Sequence, residues 1–304
     1  MRRLRAGPAA VLLLLALLPA CTADPETPSP ARTSPAAALR MASYDFHENQ
    51  TLVEVYAEAA RRADVPVAVD HGVGTREILW PALEQDVVDV LVDYAGTALA
   101  FARQDEAPAQ GTPEDVHAAL ERTLSTRGVA VLAAAEAQDQ NGFAVTRAFA
   151  GEHDVSRLSD LAPLAGELSF GGPPECPERP FCLLGLREVY GLEFADVQAM
   201  PSRAATAEAL RAGQIDVGML ETTDPRLAVS SLVLLSDDRG LQPHENVVPL
   251  VRVDALDRWG DRLRTALDEV SARLTTEDVV QLNRLVEVEG LSSAEAANRW
   301  WNGL

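Results

Sequence analysis

The sequence predicts an α/β fold with mostly parallel strands, and three observations carry the prediction. From residue 41 to about 252, short apolar runs alternate with amphipathic stretches whose apolar residues recur every three or four positions. The C-terminal region beyond that is helical throughout. A helix–turn–strand unit also repeats: Thr75-Arg76…Ala82-Leu83…Val88-Asp89-Val90 returns 127 positions later as Ser202-Arg203…Ala209-Leu210…Ile215-Asp216-Val217. Ligands of α/β sheets sit beyond the carboxyl ends of strands and near helix N-termini, so two such units point to two faces of one cleft. The alternative is a chance recurrence of a common pattern.

The chain opens on Met1-Arg2-Arg3-Leu4-Arg5, followed by the apolar run Val11 to Leu18, too short to span a bilayer as a helix. This reads as a signal peptide over 1–20. It closes on Leu18-Pro19-Ala20-Cys21, which suggests lipid attachment at Cys21, with plain secretion as the alternative. Residues 21–40 are rich in Pro, Ser, Thr and Ala and read as a flexible tether. Expected strands follow at 41–46, 65–70, 87–92, 129–132, 142–146, 167–171, 215–220, 231–235 and 247–252. Expected helices fall at 48–64, 75–84, 113–127, 180–190 and 204–211, then 254–274, 275–286 and 292–302. The seventh of these is opened by the capping pattern Thr275-Thr-Glu-Asp278.

Formal charge is −20, with 26 basic residues that are all arginine, so a polyanion is repelled and nucleic acid is excluded as a partner. Cys176 and Cys182 form an even pair in an exported chain, which reads as a disulfide. Two thiols without nearby histidines make half a zinc site, so no metal and no cofactor is expected. Nucleophile elbows, phosphate loops and zinc-helix motifs are absent from the sequence, and the reading is a binding protein rather than an enzyme. Tyr94, after an apolar strand and before Ala95-Gly96-Thr97, is placed to meet a ligand at a turn with free backbone N–H groups.

Ser43-Tyr-Asp-Phe-His-Glu-Asn49, Asp93-Tyr-Ala-Gly-Thr-Ala-Leu99, Asn141-Gly-Phe143, Thr222-Thr-Asp224 and Asp237-Asp-Arg-Gly240 together resemble motifs of the substrate-binding proteins of compatible-solute importers, which take up glycine betaine, choline and carnitine. The resemblance covers nearly all of 41–304. It implies a type II periplasmic-binding (venus flytrap) fold, with one lobe from 41–142 plus 248–304 and the other from 143–247, hinged near Phe143 and Val247. It implies a monomer on the outer face of the membrane, partnered by ABC permease and ATPase subunits, that closes on a cationic or zwitterionic solute. Tyr94 and Phe143 would be aromatic walls, Asn49 and Asn141 hydrogen-bonding groups, Glu77 and Glu221 anionic contacts, with Thr97, Thr222 and Glu245 beside them. The family cage holds quaternary ammonium among tyrosines by cation–π attraction. Here Glu221 aligns with a third cage tyrosine and Glu245 or Asn246 lies near the fourth, which widens the expected ligands to protonated amines and guanidinium compounds. A cleft of this kind also suits a sensory module for a membrane receptor; converging carboxylates leave a hydrolase as a third reading.

Overall fold

Strand and helix alternate from the first described residue onward in the computed structural model, which describes residues 38–104, 111–229 and 231–303. The expected signal peptide, Cys21 and the tether up to residue 37 lie outside these. The tether ends earlier than expected, because Leu39 and Arg40 already belong to the first strand. Leu39 is buried, and Arg40 pairs with Asp89 at 2.5 Å.

The chain runs β1 (Leu39–Tyr44), α1 (His47–Arg62), β2 (Val67–Gly74), α2 (Arg76–Glu84), β3 (Val90–Tyr94), α3 (Ala95–Arg103), α4 (Pro113–Leu124) and β4 (Val129–Val131). It continues through β5 (Asn141–Thr146), α5 (Arg147–His153), β6 (Ser169–Gly172), α6 (Leu183–Gly185), β7 (Asp196–Ala199), α7 (Arg203–Arg211), β8 (Val217–Glu221), α8 (Arg226–Val229) and β9 (Leu232–Leu235). It returns through β10 (Val247–Arg252) and closes on α9 (Val253–Trp259), α10 (Asp261–Arg273), α11 (Thr276–Asn283) and α12 (Ser293–Trp301).

Two five-stranded sheets result, ordered β2-β1-β3-β10-β4 and β7-β6-β8-β5-β9. The first carries strands from both ends of the chain; the second is built from one continuous stretch. Strand alternation places Val90 and Val92 with α1, α10 and α12 on one face of the first sheet, and Leu91 with Trp80, Leu99 and Leu120 on the other. In the second sheet Phe143 packs with Phe170 and Met219, whereas Ala144 packs with Leu210 and Ile215. The Cys176–Cys182 disulfide forms beside this second core, a separation of 6 residues. Closing so short a loop is worth roughly 2 kcal/mol on chain-entropy grounds.

The expectation of mostly parallel strands is corrected to mixed sheets. β1 pairs in parallel with β2 and β3, and β6 with β7 and β8. β10 is antiparallel to β3 and β4, and β5 to β8 and β9. The reason is topological: a strand arriving from the other sheet enters at the edge where the neighbouring strand leaves. Thus Val247 opens β10 opposite Tyr94 at the end of β3, and Asn141 opens β5 opposite Glu221 at the end of β8.

Three further differences have local causes. The expected helix 254–274 is two helices, broken at Gly260 with φ +64°, a conformation glycine adopts freely. The expected helix 180–190 starts only at Leu183 and continues as a π-helical turn over Leu186–Tyr190. The turn expected after Tyr94 is instead the start of α3. Two crossovers link the sheets, the first at 132–140 between β4 and β5 and the second at 236–246 between β9 and β10. The Ala95 N–H of α3 donates to the Asn246 carbonyl and the Thr97 N–H to the Glu245 carboxylate, so these groups of α3 are engaged by the second crossover.

Candidate ligand-binding cleft

The carboxyl ends of β3 and β8 face each other across the two crossovers, and repeated chemistry stands at each. The first helical residue of α2, Arg76, reaches Asp93 near the end of β3, at 2.6 Å from Nη2. The first of α7, Arg203, reaches Glu221 at the end of β8, 3.1 Å from Nε. Each arginine sits at the start of a helix whose following strand carries its carboxylate, so the sequence repeat places an ion pair on both faces of one cleft.

Two confluent cavities of about 240 and 410 Å³ occupy this cleft, sharing Phe46, Asp139 and Glu221 as lining. On the first-sheet side the walls are aromatic. Tyr94 and Phe46 stack at 6.2 Å, and Phe46 stacks in turn on Tyr44 at 6.1 Å. Phe46 is 39% exposed and lines both cavities. Phe181, in the loop closed by the disulfide, lines the smaller cavity. Behind these walls the buried Asp93 accepts from the Tyr44 hydroxyl at 2.5 Å, the Trp80 indole at 3.0 Å and Arg76, which fixes the Tyr44 ring.

Seven carboxyl groups stand in the polar lining: Asp45, Glu48, Asp139, Glu221, Asp224, Glu245 and Glu287. Glu48, in the first turn of α1, is buried and accepts from the Tyr94 hydroxyl at 2.5 Å, the Asn283 amide at 2.7 Å and the Thr223 hydroxyl at 2.6 Å. Thr223 belongs to the segment after β8, so this cluster ties the two sheets together. The same hydroxyl lies 2.9 Å from Asp139 on the first crossover. Burial pushes the Glu48 carboxyl up. Burial, with the negative charges of Glu48 and Glu221, pushes Asp139 well above the carboxylate range. Tyr94 is raised by burial and by the adjacent Glu48. On the second crossover, burial pushes Glu245 up to about 7 although Thr97 donates to it through both N–H and hydroxyl.

Of the expected site residues, Tyr94, Thr97, Asn141, Glu221 and Glu245 line the smaller cavity. The others stand elsewhere. Phe143 is 1% exposed in the second core, because alternation along β5 turns its ring onto Phe170, 6.2 Å away, rather than toward the strand end. Asn49 is also 1% exposed; its side chain binds the Tyr44 N–H and the Val92 carbonyl and so joins α1 to the sheet. Glu77 accepts from Thr75 and lines a groove along α2 and α3 that meets the smaller cavity only at Thr97. Thr222 pairs with Gln140 at the first crossover. Sequence reasoning missed Phe46, Asp139 and Arg203 in the lining. Phe46 lies inside the Ser43–Asn49 motif and Arg203 inside the repeat, so their signals were present; Asp139 had none, since a lone acid in a loop reads as solvated.

A family model described as the substrate-binding domain of ABC-type glycine betaine transport systems matches residues 37–303. A glycine-betaine-binding protein of Pseudomonas aeruginosa is 25% identical over 83% of this chain and 83% of its own. The ergothioneine transport permease/ergothioneine binding protein EgtU of Helicobacter pylori is 23% identical over 82% of this chain, which spans 44% of that longer protein. The carnitine transport binding protein OpuCC of Listeria monocytogenes is 24% identical over 81% of this chain and 80% of its own. Among solved structures, a glycine betaine/carnitine/choline ABC transporter protein superposes with a TM-score of 0.79 at 21% identity, covering 87% of this chain and 97% of that one. Apo YehZ from Escherichia coli superposes with a TM-score of 0.74 at 23% identity, covering 88% and 98%. With its two mixed sheets, double crossover and interlobe cleft, the chain belongs to the family of substrate-binding domains of ABC-type glycine betaine transport systems.

Proposed function

We propose that this protein captures a small cationic or zwitterionic solute in the cleft between its lobes and delivers it to an ABC permease from outside the membrane, held there by lipid on Cys21. The observation that carries the ligand class is the pairing of stacked rings, Phe46 and Tyr94, with the carboxyl groups of Asp139, Glu221 and Glu245 in one cavity. Ring faces attract a desolvated cation by about 1–2 kcal/mol each, and the carboxyls add charge attraction. Glycine betaine, choline, carnitine and ergothioneine, the ligands in the names of its relatives, all carry a trimethylated nitrogen that suits the rings. The carboxyls extend the range to N–H cations, whose N–H groups donate to a carboxylate.

Thermal unfolding of the purified protein against these four compounds, with guanidine and primary amines beside them, tests the reading. A cationic or zwitterionic ligand at a hundredfold excess over its Kd adds about 2.7 kcal/mol of stability, a clear upward shift in Tm. Tyr94→Ala removes that shift. No response to any member of the panel would sink the proposal. Labelling with a fatty acid in the producing cells, lost in Cys21→Ser, tests the anchor.

A further inference from the structure

The hydrogens around Thr223 do not suffice for two ionised carboxylates. Its hydroxyl carries one hydrogen, yet lies 2.6 Å from Glu48 Oε2 and 2.9 Å from Asp139 Oδ1. One contact takes that hydrogen, and the other needs one from a carboxyl. Glu48 has Tyr94 and Asn283 as further donors, so it is the better-served carboxylate. Among the described residues the Asp139 carboxyl has Thr223 alone. The consistent chain runs from protonated Asp139 to the Thr223 oxygen, and from the Thr223 hydroxyl to ionised Glu48.

The charges facing Asp139 support this assignment. Glu48 comes from α1, Tyr94 from β3, Glu221 from β8 and Glu245 from the second crossover. The nearby guanidinium groups are already matched: Arg76 to Asp93, Arg203 to Glu221, and Arg226 to Asp224 and Glu287. Among the described residues no arginine is left to compensate a charge on Asp139, which lines both cavities.

We propose that Asp139 is the cation-selecting residue of the cleft and works by proton exchange, holding a proton until a positively charged ligand settles beside it and releases that proton to solvent. The balance is simple. The Asp139 O–H bond breaks, the proton leaves to water, and the ligand's positive charge takes its place against the carboxylate. A neutral ligand offers no such replacement and leaves Asp139 protonated. This inference rests on the proposed cationic ligand class and adds to it a residue and a linkage.

Calorimetric titration of the protein with choline and with glycine betaine, in buffers of different ionisation enthalpy from pH 5 to 8, reads the protons released per ligand bound. We expect release rising toward one proton where Asp139 titrates, with affinity gaining up to tenfold per pH unit through that range. Asp139→Asn, which keeps a donor for Thr223, should bind more weakly at pH 8 and without release. Binding by the unaltered protein with no release at any pH would overturn the inference. So would undiminished release from Asp139→Asn, or release lost in Glu245→Gln instead. Failure of every member of the wider thermal-unfolding panel to bind at any pH, choline and glycine betaine included, would remove the functional reading and this inference with it.

Discussion

Glu245 shows how much a single buried carboxyl can govern. Its side chain spans from the second crossover to Thr97, and burial raises it from an ordinary value of 4.5 to about 7. A group that binds its proton more tightly when folded adds stability below its unfolded value and loses it as pH rises through the folded one. Stability should therefore fall between about pH 4.5 and 7 by an amount on the order of 3 kcal/mol from this group. Asp139, raised in the same direction, adds to the slope. In denaturant titrations Glu245→Gln should flatten most of that fall, and an unchanged pH profile would refute the assignment. At this scale the sequence was half legible. Motifs and the alignment with the family cage pointed to Tyr94, Thr97, Asn141, Glu221 and Glu245, which line the smaller cavity, but neither says which way a side chain points. Phe143 and Asn49 therefore read as ligand contacts when strand pleating and helix docking turn them into the cores.

Among elements, the junction of β3 with α3 is where the two lobes are held to a common geometry. A methyl group at Gly96 would stand 2.8 Å from the His244 carbonyl oxygen and 3.0 Å from Pro243, backbone and ring atoms that cannot rotate away. Gly96→Ala should push the second crossover outward, costing about 1–3 kcal/mol of stability. It should also weaken ligand binding through displaced Glu245; unchanged affinity would show that the crossover is not positioned here. Periodicity made most helices and strands readable, and the capping box of Thr275 with Asp278 forms as its spacing suggests. β7 escaped notice because, as a short exposed edge strand, it lacks the apolar run that marks the others. α3 was taken for a turn because small residues after a strand carry no helical stripe, whereas the helix is fixed by the crossover bonding its first N–H groups.

Over the whole molecule, the contacts that bring the lobes together are few and polar. Thr223 of the second lobe meets Glu48, Asn283 and Asp139, and Arg226 meets Glu287. A seam of this kind suits the closure on ligand that the proposed function calls for. Thr223→Val keeps the shape and removes the hydroxyl, leaving Glu48 and Asp139 facing each other unbridged. Small-angle scattering should show a larger radius of gyration without ligand for this variant than for the parent, and equal values would argue against the bridge. The two-lobe plan was visible in the internal repeat, but strand direction was not, since antiparallel entry depends on where the chain crosses between sheets and leaves no periodic trace.

The position of β10 carries one more consequence, in the order of assembly. It sits between β3 and β4 in its sheet, yet is the last strand to be synthesised. Every strand of the second sheet lies within 141–235, so that lobe has all its partners as soon as it emerges. The first lobe must wait with β4 unpaired and the face of α1 uncovered until α10, α11 and α12 arrive. Long-range closure of this kind is slow and leaves apolar surface exposed in the interval. The lobe begun first thus receives its last strand only after every strand of its neighbour is available.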